Sequence, residues 1–170
     1  MVLFPPSAGG GEEVSHGYKG KGSLIHLLVD GNGQPIATTT TAANGDERRE
    51  VEKLLNQISR LNNKKNLKSR MTVLEADKGY DCGWLRQALL IRGFFPLIPY
   101  RKTQGRVVPN TQDILETFHL EKKRWQVERT FAWIKRRCRR LLMRWERRVS
   151  IWNGFVTLAV VYSWVKNLVG

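Results

Sequence analysis

The chain has 170 residues and 41% hydrophobic content, enough for one folded domain with a sizeable core. Its 29 Lys and Arg against 15 Asp and Glu leave a formal charge of +14, which excludes an acidic surface and points to a polyanionic partner, nucleic acid ahead of a membrane surface. Cys82 and Cys138 stand outside any CxxC pattern, which excludes a zinc signature and a disulfide framework and fits a reducing compartment.

Residues 1–22 are rich in Gly, Pro and charge and are expected as an irregular segment, not an independent domain. The opening Met-Val-Leu-Phe-Pro-Pro lacks the basic region and long apolar core of a signal peptide. Residues 23–29 and 35–41 are β-prone and flank Asp30-Gly31-Asn32-Gly33, a hairpin signal because Asp-Gly and Asn-Gly tolerate positive φ. That makes Asp30 a turn residue. Asp46 is expected to N-cap the next helix, with Val51, Leu54, Leu55 and Ile58 at core spacing and the Asn- and Lys-rich run 62–68 ending it.

Residues 71–77, Met-Thr-Val-Leu-Glu-Ala-Asp, are predicted as a strand ending in Asp77, with Lys78-Gly79-Tyr80-Asp81 directly after. The end of a buried strand is where open α/β sheets present reactive side chains, although an Asp there also caps turns. Asp81 is expected to N-cap the short helix 82–92, closed by Gly93, in preference to binding metal. Residues 94–100 form a further β-prone element, and 101–110 a flexible basic loop.

In the following helical stretch Arg124, Glu128 and Lys135 fall within about 40° of one another, so one carboxylate lies between two cations on one face. Val127, Phe131, Ile134, Cys138 and Leu141 line the adjacent face at core spacing, which puts Glu128 at the rim of the core. An i, i+4 salt bridge to Arg124 is the bland alternative, worth about 0.3–0.5 kcal/mol. Asp77 and Glu128, from distant segments, have the hard oxygen ligands suited to sharing Mg²⁺ or Mn²⁺.

Between positions 101 and 150 there are 15 basic residues against 5 acidic ones. Lys135, Arg136, Arg137, Arg139 and Arg140, continued by Arg144, Arg147 and Arg148, are dense enough to follow a phosphate backbone, with Trp125, Trp133 and Trp145 interleaved as stacking surfaces. A solvated helix face is the alternative. His16, His26 and His119 stand apart and read as structural or surface residues. Residues 151–169 are expected as a buried terminal helix with Ile151, Phe155, Leu158, Tyr162, Val165 and Val169 inward. A membrane span is disfavoured because Asn153, Ser163, Lys166 and Asn167 interrupt the run. The element order describes a mixed α/β layer architecture without internal repeats.

Three blocks carry a resemblance: His26-Leu27-Leu28-Val29-Asp30-Gly31-Asn32-Gly33-Gln34-Pro35, Ala76-Asp77-Lys78-Gly79-Tyr80-Asp81, and Arg124-Trp125-Gln126-Val127-Glu128-Arg129-Thr130-Phe131-Ala132-Trp133-Ile134-Lys135. In these the chain, from about Gly9 onward, resembles bacterial insertion-sequence transposases of the DDE type. The last block matches that family's Y-x2-R-x3-E-x6-K signature at Arg124, Glu128 and Lys135, with Glu121 standing where the signature has Tyr. The resemblance implies an α/β, ribonuclease-H-like mixed sheet flanked by helices, its first strand missing or incomplete. It also implies a division into a remnant segment 1–22 and a catalytic domain 23–170.

By the same resemblance Asp77 and Glu128 are the second and third catalytic acids and ligands of Mg²⁺ or Mn²⁺. Arg124 and Lys135, with Arg136, Arg137, Arg139 and Arg140, contact DNA. The first catalytic Asp, which in the family precedes a Gly-rich segment similar to Gly9-Gly10-Gly11-Glu12-Glu13, has no counterpart here. The expectation is therefore a truncated copy, also without the family's N-terminal DNA-recognition region. The implied reaction is metal-dependent DNA cleavage and strand transfer of an insertion sequence, by a homo-oligomer in the bacterial cytoplasm at the nucleoid, without membrane. A non-catalytic DNA-binding remnant that modulates an intact transposase is the alternative. A small membrane protein with a basic neck rests only on the terminal apolar run.

Overall fold

The computed structural model describes residues 2–62, 72–101, 109–117 and 123–169. His119, Glu121, most of the 101–110 loop and nearly all of the 62–68 run lie outside them. In chain order the elements are β1 (Val2–Leu3), β2 (Ser15–Gly17), β3 (Gly20–Val29), β4 (Pro35–Ala42), α1 (Glu47–Asn62), β5 (Thr72–Glu75), α2 (Gly83–Ile91), β6 (Phe94–Leu97), α3 (Thr111–Thr117), α4 (Trp125–Arg137) and α5 (Val149–Val169), with single tight helical turns at Lys78–Tyr80 and Arg139–Leu142. This is a mixed α/β chain, and it divides into two compact units, Met1–Asn63 with Gln126–Gly170, and Lys64–Trp125.

In the first unit β3 is the central strand, lying between β1 and β2 and pairing also with β4, all antiparallel. Residues 1–22, expected as irregular, thus contribute two short strands to the sheet. The β3–β4 turn closes as the Asp-Gly-Asn-Gly pattern predicts: Asp30 Oδ1 accepts from the amides of Asn32 and Gln34, both at 2.8 Å, and Gly33 has φ 86°. Asp30 is a turn residue.

Side chains alternate along β3. Ile25 and Leu27 on one face join a core with Leu3, Phe131, Ile134, Leu141, Trp152, Val156 and Ala159. Leu24 and His26 are buried on the other, where α1 packs on β3 and β4 and His26 senses the charges of Glu50 and Lys53.

The inward face of α5 differs from the expected stripe. Trp152, Val156, Ala159 and Ser163 are buried, while Ile151, Leu158, Tyr162, Val165 and Val169 are exposed and Phe155 is half-buried. The helix is apolar around most of its circumference, so periodicity alone selects no face. Its fit on β4 decides: Asn153 bonds Thr40 at 2.7 Å, Trp164 Nε1 donates to Pro35 O at 2.8 Å, and the small Ala159 and Ser163 sit on the buried side. Among the described residues no helix is long and apolar enough to cross a membrane.

In the second unit β5 and β6 pair in parallel, Thr72 opposite Phe94 through Glu75 opposite Leu97, with α2 as the crossover. Leu85 and Leu89, four residues apart on α2, are buried. Gly93, at φ 79°, follows the helix end as its sequence position predicts. The cap of α2 is different from expectation: Cys82 holds the N-cap position without a side-chain bond, and the Asp81 carboxylate is used elsewhere.

Candidate functional site

Asp77 lies just beyond the C-terminal end of β5, the end at which parallel strands present their reactive groups. It N-caps the turn Lys78–Tyr80, with Oδ1 accepting from the Lys78 amide at 2.6 Å, and its side chain is exposed. A cleft of about 370 Å³ beside it is lined by Glu75, Asp77 and Lys78 and, from the far end of the same unit, by Arg124. Glu75 is committed, its Oε2 accepting from the Lys123 amide at 2.7 Å, which fastens the segment carrying Arg124 to the strand end. The structure thus brings together Asp77 and Arg124, two of the residues singled out by sequence.

Sequence reasoning missed what supports this turn. Arg101 donates from Nε to Lys78 O and from Nη2 to Gly79 O, each at 3.1 Å, and its amide donates to Asp81 Oδ2 at 2.7 Å. Asp81 Oδ1 also pairs with Arg86, whose guanidinium donates to Ile98 O at 2.6 Å and lies 3.8 Å over the Tyr100 ring. The spacing of five between Asp81 and Arg86 belongs to no helical pairing rule, and Arg101 comes from a run that reads as a loop, so no sequence signal marked them.

Glu128 is exposed in the first turn of α4, with Lys135, Arg136 and Arg137 exposed in the last. This order matches the helix dipole, which favours an acid at the N-terminal end and cations at the C-terminal end. Arg124 stands directly before the helix, which carries Glu128 and Lys135 about two turns apart. The hairpin tip holds this helix: Arg129 donates to Asn32 O at 2.8 Å, and Thr130 Oγ1 to Gly33 O at 2.6 Å.

The basic run is not one helical face. At Cys138 the backbone leaves helical values (φ −108°, ψ 64°) and re-forms as the turn Arg139–Leu142, which delivers Leu141 to the core. Arg139 is exposed there. Arg140 pairs with Glu146 and lies 5.3 Å over the Phe155 ring.

Arg144, expected along the phosphate path, is instead 0% exposed. It donates to Glu12 O at 2.6 Å, Glu13 O at 3.1 Å, Ser23 Oγ at 2.6 Å and Glu146 O at 3.0 Å, strapping down the segment that follows the run of three glycines. Burial pulls its pKa below the usual guanidinium value, with Glu146, Glu13 and Glu12 opposing that. Trp133 packs on Tyr162, ring centroids 5.5 Å apart, while Trp125 and Trp145 are exposed to solvent.

Burial raises the pKa of Cys138, which makes it a poor nucleophile. Among the described residues no three His, Cys, Asp or Glu side chains converge on a common ligand point. Exposed carboxylates are carried by Asp77, in one unit, and by Glu128, in the other. Their hard oxygens fit Mg²⁺ or Mn²⁺ and suit no softer ion.

A family described as the transposase DDE domain matches residues 5–164. The chain is also 37% identical over 141 residues to a protein of Burkholderia cepacia described as a transposase for insertion sequence element IS402. That match covers 81% of the chain and 60% of the relative, so the chain spans about three-fifths of that protein's length. No solved structure matches it.

Proposed function

The chain belongs to the transposase DDE-domain family, and from that membership we propose that it is the catalytic portion of an insertion-sequence transposase, ribonuclease-H-like in fold. The observation that carries the proposal is the placement of Asp77 past the end of a parallel strand, in one cleft with Arg124. In this reading Asp77 and Glu128 hold Mg²⁺ or Mn²⁺. Once bound, the ion supplies charge neutralisation at the scissile phosphate and a lowered pKa for the attacking water or hydroxyl.

The chain's own residues do the rest. Arg124 pairs with a non-bridging phosphate oxygen beside Asp77, with the planar fork that suits phosphate. Lys135, Arg136, Arg137 and Arg139 neutralise the flanking backbone, and exposed Trp125 and Trp145 offer faces for unstacked bases. Arg140 contributes less, because Glu146 already pairs with it. In cleavage, a water oxygen attacks phosphorus and the 3′ oxygen leaves as a hydroxyl. In strand transfer, that hydroxyl attacks a phosphate of the target DNA, forming a new phosphodiester as the target's own 3′ oxygen leaves as a hydroxyl.

The proposal includes action as a homo-oligomer and residence in the bacterial cytoplasm with nucleoid DNA. A non-catalytic DNA-binding role, modulating an intact transposase, is the alternative, supported by the exposed cations Lys135, Arg136 and Arg137 at the end of α4.

DNA binding followed by fluorescence anisotropy, with and without Mg²⁺, separates the two readings. Affinity that rises with Mg²⁺ and loses this rise in Asp77→Asn supports the metal-dependent enzyme. Affinity indifferent to both, falling steeply with salt, supports the non-catalytic role.

A further inference from the structure

We infer that Asp81, Arg86 and Arg101 form a positioning network that sets the direction of the Asp77 carboxylate. This deepens the proposal above and rests on Asp77 being a metal ligand. The turn after Asp77 is exposed at Lys78 and Gly79, and a three-residue turn with a central glycine has little intrinsic rigidity. Its peptide planes are fixed from outside. One guanidinium, that of Arg101, takes the consecutive carbonyls of Lys78 and Gly79, while the Arg101 amide takes Asp81, the residue that closes the turn.

Beneath this, the Asp81 and Arg86 side chains are only 7% and 14% exposed, and Arg86 is itself held by Ile98 O and the Tyr100 ring. A buried ion pair contributes little net stability compared with apolar residues of the same volume. What this one supplies is direction. Asp77 Oδ1 is bonded to the Lys78 amide, and Arg101 holds the carbonyl of that same residue one peptide further on, so fixing Lys78 sets where the carboxylate points. A metal ligand has to be held within about 0.5 Å of its working position by groups that are themselves locked, and this network has that form. The planar fork of Arg101 reaches two carbonyls at once, which a single ammonium cannot do in the same orientation.

The test is a Mn²⁺ titration of the full chain, read as paramagnetic broadening of the amide signals of residues 77–80, with α2 amides and thermal unfolding as controls on the fold. Asp77→Asn is expected to abolish the broadening. Arg101→Ala is expected to require at least tenfold more Mn²⁺, and Arg101→Lys to fall between Arg101→Ala and the unaltered chain, all with α2 unperturbed. If Arg101→Ala titrates like the unaltered chain while Asp77→Asn still abolishes the effect, the network is structural only and the inference is overturned. If the unaltered chain shows no broadening at 77–80, or Asp77→Asn leaves it intact, Asp77 is not a ligand, and the inference falls with that reading.

Discussion

Arg144 shows how a residue's type misleads when read without its surroundings. Flanked by arginines, it reads as one more surface cation, yet it is the most completely buried charge among the described residues and serves four acceptors around the Gly-rich segment. Arg144→Met is expected to leave those acceptors unsatisfied and to cost about 3 kcal/mol, read as a lowered midpoint in urea unfolding. Arg139→Ala, on the exposed turn beside it, is expected to leave stability within about 0.5 kcal/mol.

His26 is the second residue whose burial matters. Its Nε2 bonds Thr41 Oγ1 at 2.7 Å, Nδ1 has no partner among the described residues, and burial lowers its pKa to about 4, with Glu50 opposing. The folded state therefore binds fewer protons than the unfolded state between about pH 6.5 and 4. Stability is full above 6.5 and falls as the pH drops through that window, by roughly 3 kcal/mol in total. Unfolding midpoints measured across this range should show that slope, and His26→Gln should flatten it.

At the scale of elements, the pieces with local punctuation were legible in the sequence. Asp30 to Gly33 announced its hairpin, Gly93 closed α2, and Asp77 lies where a strand-ending acid was expected, two residues beyond β5. The buried side of α5 was not legible, because apolar residues surround the helix and only the sheet beneath it selects Trp152, Val156, Ala159 and Ser163. Nor was the break at Cys138, where the pull of Leu141 into the core overrides a continuous helical pattern.

The contact between hairpin tip and α4 is likewise tertiary, and it makes a prediction about Gly33. A Cβ there would meet Gln126 Oε1 at 3.0 Å and Thr130 Oγ1 at 3.2 Å, at a φ of 86° that side chains avoid. Gly33→Ala is expected to cost about 1–2 kcal/mol from the backbone alone and to raise amide exchange at Asn32 and Gln34, because the tip lifts from the helix that carries Glu128.

For the whole molecule, the charge of +14 points to a polyanionic partner, and the cations that face solvent are distinct from those that hold the chain together. Lys135, Arg136, Arg137 and Arg139 remain on the exposed side of that division, and Arg144 does not. Lys135→Ala is expected to reduce the slope of log affinity for DNA against log salt by about 1, whatever the DNA sequence.

The proposed function makes both Asp77 and Glu128 metal ligands. Ferrous ion substituted for Mg²⁺, with ascorbate and peroxide, generates hydroxyl radicals that cut the polypeptide next to the bound metal, and the fragments can be mapped by mass spectrometry. Cuts are expected near both 77 and 128, suppressed together by excess Mg²⁺ and lost together in Asp77→Asn. Cuts near one position only, or cuts near 128 that survive Asp77→Asn, would contradict it.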